Sequence, residues 1–349
     1  MTSWGSPGRF ALQLQPATIE APGAPEIPGF RLRHFAGPTD FPAMVEIFNR
    51  SAAADGVERV TSLLETTNFY AHTVNCSPER DLIMAEVSRS LVGYARASWR
   101  EEPSGLRLYI HWAVQLPEWR RMGIGRVLLH ACQRRLLEIA AELPPAPESA
   151  FHTNVAEGEV GANENLRREG YRPVRYSYLM VRPTLEVIPD HPIPEGLEVR
   201  PARPDHYRRV FEANGEAFRD HWGFIPRTDE DFERWLGEPA TDPSLWQVAW
   251  EGGEIAGMVL PFIHADENSR HNRLRGYTED VCVRRPWRRR GLARALLARS
   301  LQVLRERGMT EAALGVDTEN PSGALRLYES IGYRPMRRWT VYRKPIEAA

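Results

Sequence analysis

The chain has 349 residues and a formal net charge of −1. This length is sufficient for two domains that each bury a core, and the near-zero net charge provides no field that would attract nucleic acid or a membrane surface. The three cysteines (Cys76, Cys132 and Cys282) are widely spaced and form no C-x-x-C pair. The sequence therefore argues against a disulfide framework and against a metal site, and it predicts a protein of the reducing cytoplasm.

The N-terminal residues 1–28 contain no apolar segment long enough for a signal peptide, and no later segment could span a bilayer. Because residues 16–28 are rich in proline and alanine, we predict that 1–28 form a flexible tail. Lys344 is the only lysine, so arginine supplies almost all the positive charge. A run of arginines is therefore weaker evidence for a binding site here than in an average protein.

The elements of the first half are predicted in the order strand, one or two helices, hairpin, strand, helix, strand, helix and strand. An alternating segment at 29–34 is followed by a helix that opens at Pro38 and then by a hairpin. The same order returns in the second half, beginning with the alternating segment at 196–200. There, the polar segment 266–270 is predicted to be a loop.

The two halves also share motifs. W-R-R-M-G-I-G at residues 119–125 recurs as W-R-R-R-G-L-A at 287–293, and G-Y-R-P at 170–173 recurs at 332–335, each about 165 residues apart. The sequence therefore predicts a tandem duplication, with domains at 29–182 and 197–349 and a proline-rich, semi-extended linker at 183–196. The hairpins and the crossover helix of each copy predict an α/β (α+β) fold, in which a mixed sheet carries helices on both faces.

The segment 277–297 is predicted to bind phosphate. The segment begins as a strand, with Tyr277, Glu279, Val281 and Val283 alternating on one face. A helix follows, because apolar residues then recur at helical spacing. Backbone N–H groups at a helix start lack partners and carry partial positive charge, and small residues let a phosphate approach them. Arginine side chains add forked donors. The predicted diphosphate site consists of Arg288, Arg289, Arg290, Gly291, Leu292 and Ala293, with Arg120, Gly123 and Gly125 as its first-half copy.

These features resemble the GCN5-related N-acetyltransferase (GNAT) superfamily. The resemblance rests on R-x-x-G-x-G/A between the fourth strand and its helix, and on N-P-S-G-A-L-R-L-Y at 320–328 before I-G-Y-R-P. It covers nearly all of both halves, as in tandem members of the superfamily. It implies acyl transfer from acetyl-CoA to an amine, with the diphosphate held by the loop at 288–293.

The resemblance also implies roles for individual residues. Tyr328 would protonate the departing CoA thiolate, and Asn320 would bond the pantetheine arm, with an N-cap of the last helix as the alternative. The strand end at Val281, Cys282 and Val283 would pair with the pantetheine amides, and a main-chain N–H near this strand would meet the oxyanion. A carboxylate at Glu279 is placed to take the ammonium proton, although Asp280 is an equal alternative.

The first half departs from this pattern. Counting from the shared motifs aligns Leu166 with Tyr328, Gly158 with Asn320, and His111 with Glu279. Asn163 or Asn165 could replace the missing asparagine if the helix were shifted. We therefore expect the second half to catalyse and the first to be a degenerate copy that retains the loop and can still bind CoA.

The predicted function is acetyl-CoA-dependent N-acetylation of a small-molecule or peptide amine, without a metal, nucleic-acid or membrane partner. A CoA-binding regulatory or structural module without turnover is the alternative. An ATP-binding protein is disfavoured because the chain lacks G-x-x-x-x-G-K-[ST]. The two copies could pack as an internal pseudo-dimer, so we expect either a monomer or a homodimer.

Overall fold

The computed structural model describes residues 16–320 and 322–346, and the chain divides into two compact units. The first unit comprises the residues up to Pro173 together with those from Val341 onward, and the second comprises Val174–Thr340. In the described part of the chain, no helix is long and apolar enough to cross a membrane.

The first unit is built on antiparallel strands with one parallel pair. Its strands are β1 (Thr18–Ile19), β2 (Phe30–His34), β3 (Leu82–Val87), β4 (Ser90–Glu101), β5 (Leu106–Gln115) and β6 (Glu148–Ala156). Its helices are α1 (Phe41–Ala54), α2 (Leu63–Ala71), α3 (Pro78–Asp81), α4 (Ile124–Glu142) and α5 (Val160–Arg168). The strands lie side by side in sequence order, and β5 and β6 are the parallel pair because α4 crosses over between them.

The second unit repeats this order. It begins with most of β7 (Arg172–Arg182) and continues with β8 (Glu198–Arg200), β9 (Gln247–Glu251), β10 (Glu254–Phe262), β11 (Arg275–Val283), β12 (Glu311–Asp317) and most of β13 (Arg334–Pro345). Its helices are α6 (Tyr207–Phe218), α7 (Asp229–Leu236), α8 (Ala265–His271), α9 (Leu292–Glu306) and α10 (Ala324–Ser330). Here β11 and β12 are the parallel pair. Helix α8 covers the segment 266–270 that was expected to be a loop.

Alternation along the strands places helices on both faces of each sheet, which confirms the predicted fold class. In β3, Leu82 and Met84 pack with the apolar residues of α1, whereas Ile83 and Ala85 pack with those of α4. The second unit does the same: Met258 packs with α6 residues, and the next residue, Val259, packs with α9 residues. Each unit therefore has apolar clusters on both sides of its sheet.

The units differ from the predicted ranges 29–182 and 197–349 at the last strand of each copy. Strand β7 ends the first copy, but six of its residues pair with β12 in the second unit, from Ser177↔Asp317 to Arg182↔Ala312. The end of β13 belongs to the first unit, where the fully buried Tyr342 donates a hydrogen bond to Asn163 and Arg343 pairs with Glu102. Each copy of the sequence thus supplies a strand segment to the other unit.

The predicted tail is ordered where the structure describes it, and residues 1–15 lie outside the described residues. Thr18 and Ile19 pair with β2, and Ile19 and Ile27 pack on the cluster that contains Ile124. The linker is also anchored, because Leu185 is buried and its N–H donates to the Thr310 carbonyl. Apolar side chains in both proline-rich segments explain why the segments pack instead of remaining free.

Because each copy of the sequence supplies a strand segment to the other unit, we predict that neither copy is stable alone. Replacing Tyr342 by alanine is expected to lower the free energy of unfolding by about 3–5 kcal/mol, because a fully buried aromatic ring is lost from the first unit. Tyr342→Phe is the matched control, since it removes only the hydrogen bond to Asn163 and should cost about 1 kcal/mol. Denaturant unfolding gives both values, and hydrogen exchange in β5 and β6 locates the loss. Native stability of Tyr342→Ala, or of a fragment ending at residue 182, would contradict this.

Candidate functional site

The second unit has an opening between its two parallel strands. Strands β11 and β12 pair at only three positions, which end at Tyr277↔Ala313. Strand β12 continues to Asp317 and stays paired with β7 on its other side. One edge of residues 314–317 is therefore unpaired toward β11, and an extended chain with amide groups could add there.

A β-bulge lies beside this opening. Met258 and Leu260 are two residues apart on β10, but their partners Cys282 and Glu279 are three apart on β11. Strand β11 therefore contains one additional residue between Glu279 and Cys282. Asp280 lies in this bulge and has a φ of 53°, in the left-handed region. The bulge reverses the side-chain alternation, so the prediction that Glu279 and Val281 share one face is wrong. Glu279 pairs with Leu260 on the α6 side, whereas Val281 packs on the α9 side.

The Glu279 carboxylate spans the opening. Its Oε1 accepts a hydrogen bond of 2.9 Å from the Gly315 N–H on β12. Burial and, to a smaller extent, the neighbouring Asp280 together raise the pKa of this carboxyl to about 7, although the Gly315 N–H opposes the shift. A carboxyl with this pKa can exchange a proton at neutral pH.

Tyr328 lies in α10, the short helix after β12, as the sequence predicts. Its side chain is buried, and its ring packs edge-on against Tyr333 with 6.2 Å between the ring centroids. Burial raises the pKa of this phenol, and the neighbouring acidic groups Glu279 and Cys282 raise it further. Tyr328 is therefore neutral at physiological pH and has a proton to donate.

The loop before α9 has the geometry of an anion site. Gly291 precedes the helix with a φ of 85°, and a Cβ at this position would meet nothing within 4 Å. Within the described part of the chain, no backbone or side-chain acceptor bonds the N–H groups of residues 290–293. The space beside Gly291 is therefore open next to four unbonded donors at the positive end of a 15-residue helix.

The sequence suggested that the arginines of this loop are all free to bind phosphate. In the structure, however, several of them are bonded within the chain. Arg288 donates to Asp220 at 3.0 Å and to the carbonyl of Ala217 at the end of α6, and its Nε donates to the Val283 carbonyl. In the first unit, Arg120 binds both carboxylate oxygens of Asp55 at 2.7 and 2.8 Å and the Ser51 carbonyl. These two arginines tie the loop to the first helix of their unit.

The other two arginines of the second loop differ from each other. Arg290 donates to the Glu195 carbonyl and, at 3.4 Å, to Glu251. Arg289 is exposed, and it makes no side-chain hydrogen bond or ion pair with residues 16–320 or 322–346. Arg289 is therefore the arginine that remains available to an anion. Sequence reasoning missed this distinction because it depends on Asp220 and Asp55, which lie far away in the chain.

Asn320 closes the turn after β12. Its Oδ1 accepts a hydrogen bond from Ser322 N–H, and its carbonyl accepts one from Gly323 N–H. Gly323, and not Asn320, is the residue that precedes α10, so the N-cap alternative is wrong.

The segment between α6 and α7 contains the aromatic residues His221, Trp222 and Phe224.

In the first unit, backbone hydrogen bonds confirm that Leu166 occupies the place of Tyr328. The Tyr171 N–H donates to the Leu166 carbonyl, as the Tyr333 N–H does to the Tyr328 carbonyl, both at 3.0 Å. Asn163 cannot replace Asn320, because its buried amide donates to Ala156 and accepts from Tyr342.

His111 does not correspond to Glu279, contrary to the prediction. Strand β5 pairs with β4 without a bulge from Gly93↔Gln115 to Glu101↔Arg107, so the first unit lacks the additional residue of β11. His111 bonds the Tyr171 hydroxyl at 2.7 Å, as Thr278 bonds the Tyr333 hydroxyl. Burial lowers the pKa of His111 to about 3, so it is a neutral structural group.

Acetyl-CoA fits the groups present in the second unit. The open space at Gly291 and the four unbonded N–H groups suit its diphosphate, and the unpaired edge of 314–317 suits its amide-bearing arm. The first-unit loop is more restricted. A Cβ at Gly123 would lie 3.6 Å from Pro25, and one at Gly125 would lie 3.2 Å from Gln115 Oε1.

Comparisons with known proteins agree with this geometry. The model of the acetyltransferase (GNAT) family matches residues 42–143 and 207–333. Mycothiol acetyltransferase of Thermobispora bispora is 31% identical over 87% of this chain and 95% of its own length, and that of Geodermatophilus obscurus is 28% identical over 85% and 91%.

Solved structures give the same result. A GCN5-related N-acetyltransferase from Sphaerobacter thermophilus has a TM-score of 0.68 at 28% identity and covers 93% of this chain and 98% of that chain. A tandem GNAT protein from the clavulanic acid biosynthesis pathway has a TM-score of 0.62 at 14% identity, covering 92% and 99%, and shares the fold. With two family matches in one chain, the protein belongs to the GNAT family and is a tandem N-acetyltransferase.

Proposed function

We propose that the second unit transfers an acetyl group from acetyl-CoA to the primary amine of a small molecule, by direct attack of the amine on the thioester. One observation carries this proposal: the Glu279 carboxylate lies across the opening between β11 and β12, and Tyr328 packs in one cluster with Leu314 and Val316 of β12. A proton acceptor and a proton donor are thus present at one opening.

Acetyl-CoA would be held by main-chain groups. The N–H groups of 290–293 and the side chain of Arg289 would bind the diphosphate, and the edge of 314–317 would bind the amide arm. When bound, acetyl-CoA supplies an activated acetyl thioester. Val281, Cys282 and Val283 lie on the strand that borders the arm, and Asn320 lies in the turn after β12, so all four remain proposed contacts.

Proton transfer would use the two side chains in opposite roles. Glu279, ionised above pH 7, accepts the proton of the attacking ammonium, directly or through water. Tyr328, neutral because burial raises its pKa, donates its proton to the sulfur as the thiol leaves. Each group has the protonation state that its role requires.

The relatives support a small-molecule acceptor, because those of Thermobispora bispora and Geodermatophilus obscurus are named mycothiol acetyltransferase. We propose that this chain likewise acetylates a small molecule with a primary amine. In the first unit, Leu166 and His111 provide neither the donor nor the base, so we propose that this unit does not catalyse.

Glu279→Gln is expected to reduce kcat/KM about 10²–10³-fold at pH 7.5, because the amide preserves the bond from Gly315 but cannot take a proton. In the native enzyme, kcat/KM should fall tenfold per pH unit below about pH 7, as the carboxyl gains its proton. Tyr328→Phe should reduce kcat and leave the acid side of the profile unchanged. Release of free CoA measures turnover. Full activity of Glu279→Gln would exclude it as the base, and no CoA release with any amine would favour a module without turnover.

The two loops predict different effects for one substitution. Gly291→Glu should abolish turnover, because it strains a residue at φ 85° and brings a carboxylate to the phosphate site. Gly123→Glu, at the matched position with φ 88°, should leave turnover within a few-fold. Calorimetric titration with CoA and a thermal unfolding scan separate binding from stability. If Gly123→Glu alone abolished turnover in a folded protein, the second unit would not be the catalytic one.

Substitutions of Arg288 and Arg289 are expected to have different effects, one on stability and the other on the binding of acetyl-CoA. Arg289→Gln should raise KM for acetyl-CoA several-fold with no change in Tm, because the native side chain has no partner among the described residues. Arg288→Gln should lower the Tm and leave the KM for acetyl-CoA close to the native value, because it breaks the ties to Asp220 and to the Ala217 carbonyl. Steady-state kinetics and thermal unfolding of both variants give the comparison. The reverse pattern would show that Arg288 is the phosphate ligand.

A further inference from the structure

The bulge in β11 requires a backbone conformation that most residues avoid. Asp280 has a φ of 53°, where side chains other than those of Gly, Asn and Asp meet steric hindrance. Strand β5, its counterpart in the first unit, pairs with β4 without interruption. The bulge is therefore specific to the unit that carries Glu279 and Tyr328.

Asp280 is held by groups from outside its strand. Its carboxylate lies 4.0 Å from the guanidinium of Arg227, in the segment before α7. Asn214 of α6 is almost completely buried. Burial raises the pKa of Asp280, and Arg227 and Asn214 both oppose this shift. The Asn214 amide also lies 3.9 Å from the sulfur of Cys282, two residues after the bulge. Two elements therefore fix the additional residue and the strand that follows it.

The bulge determines which side chains reach the opening. Without an additional residue, β11 would alternate regularly, and Glu279 would share a face with Val281 on the α9 side. With it, Glu279 stays opposite Leu260 and bonds Gly315, while Val281 packs beside α9. The conformation of one residue thus separates the carboxylate from the apolar strand end.

We propose that Asp280 is a positioning residue for acyl transfer, which holds the bulge that directs Glu279 toward Gly315 and sets the charge beside Glu279. This inference rests on the proposed function of the second unit. It assigns Asp280, which the sequence left as an equal alternative to Glu279, to a different role. Asp280 does not take the ammonium proton, because its carboxylate is paired with Arg227.

The charge of Asp280 has a consequence for pH dependence. The groups that face Glu279 are Asp280 and Cys282 on its strand, Tyr328 on α10, Tyr333 before β13, and the Gly315 N–H on β12. Burial raises the pKa of Cys282, Tyr328 and Tyr333, so these three are neutral at pH 7. Burial raises the pKa of Asp280 as well, and the nearby Arg227 opposes that shift. Among these groups Asp280 is the one whose charge, after burial, raises the pKa of Glu279.

Asp280→Asn and Asp280→Gly test the charge, because both residues tolerate a positive φ and neither is ionised. In both, the acid limb of kcat/KM should move to lower pH by about one unit. The kcat on the plateau should fall further in Asp280→Gly than in Asp280→Asn, because glycine also loses the contacts with Arg227 and Asn214. Asp280→Val tests the backbone, because a β-branched residue cannot adopt this φ without strain. It should lose kcat by more than tenfold while retaining CoA affinity in calorimetric titration.

An unshifted acid limb in both the Asn and Gly variants would overturn the proposal, whether or not the Val variant folds. Glu279→Gln, measured beside them, separates this proposal from the proposed function. If Glu279→Gln retains full turnover, Glu279 is not the base and the proposed function fails. If Glu279→Gln loses turnover and the Asn and Gly variants keep the native acid limb, only the role of Asp280 fails.

Discussion

The ion pair between the loop arginine and the end of the first helix is the interaction on which the site depends. In both units, one arginine joins the phosphate-type loop to a carboxylate and a carbonyl of that helix: Arg288 to Asp220 and Ala217, and Arg120 to Asp55 and Ser51. The pairs fix the loop where the backbone turns into the next helix. Main-chain N–H groups can bind an anion strongly only if they are already oriented, so in the proposed function Arg288 would support the binding of acetyl-CoA without contacting it.

Much of this architecture could be predicted from the sequence, because duplicated motifs repeat their structural roles. The two W-R-R segments, the glycines before α4 and α9, and the G-Y-R-P segments lie at equivalent places in their units. The alternation of apolar residues gave the strands correctly. The position of Tyr328 followed from the resemblance to the GNAT superfamily, since the N-P-S-G-A-L-R-L-Y motif places this tyrosine on the helix after β12.

The features that could not be predicted depend on partners distant in sequence or on one backbone angle. Counting residues from the loop aligned Glu279 with His111, because a bulge leaves no periodic signal and adds one residue to only one copy. The ties of Arg288 and Arg120 were missed because arginine runs do not show which side chain has a carboxylate nearby. The tail at residues 16–28 packs because its few apolar side chains find a cluster that only the folded unit provides.

The exchange of strand segments has a consequence for the order in which the protein matures. The ribosome releases the residues up to Pro173 long before Tyr342 and Arg343, which complete the first unit by contacts with Asn163 and Glu102. The first unit must therefore wait, with part of its apolar cluster exposed, until the second copy has been synthesised. A chain that stops before Tyr342 therefore leaves the first unit incomplete, with apolar side chains exposed. Proteases that recognise exposed apolar surface would degrade such truncated chains before they could bind substrate.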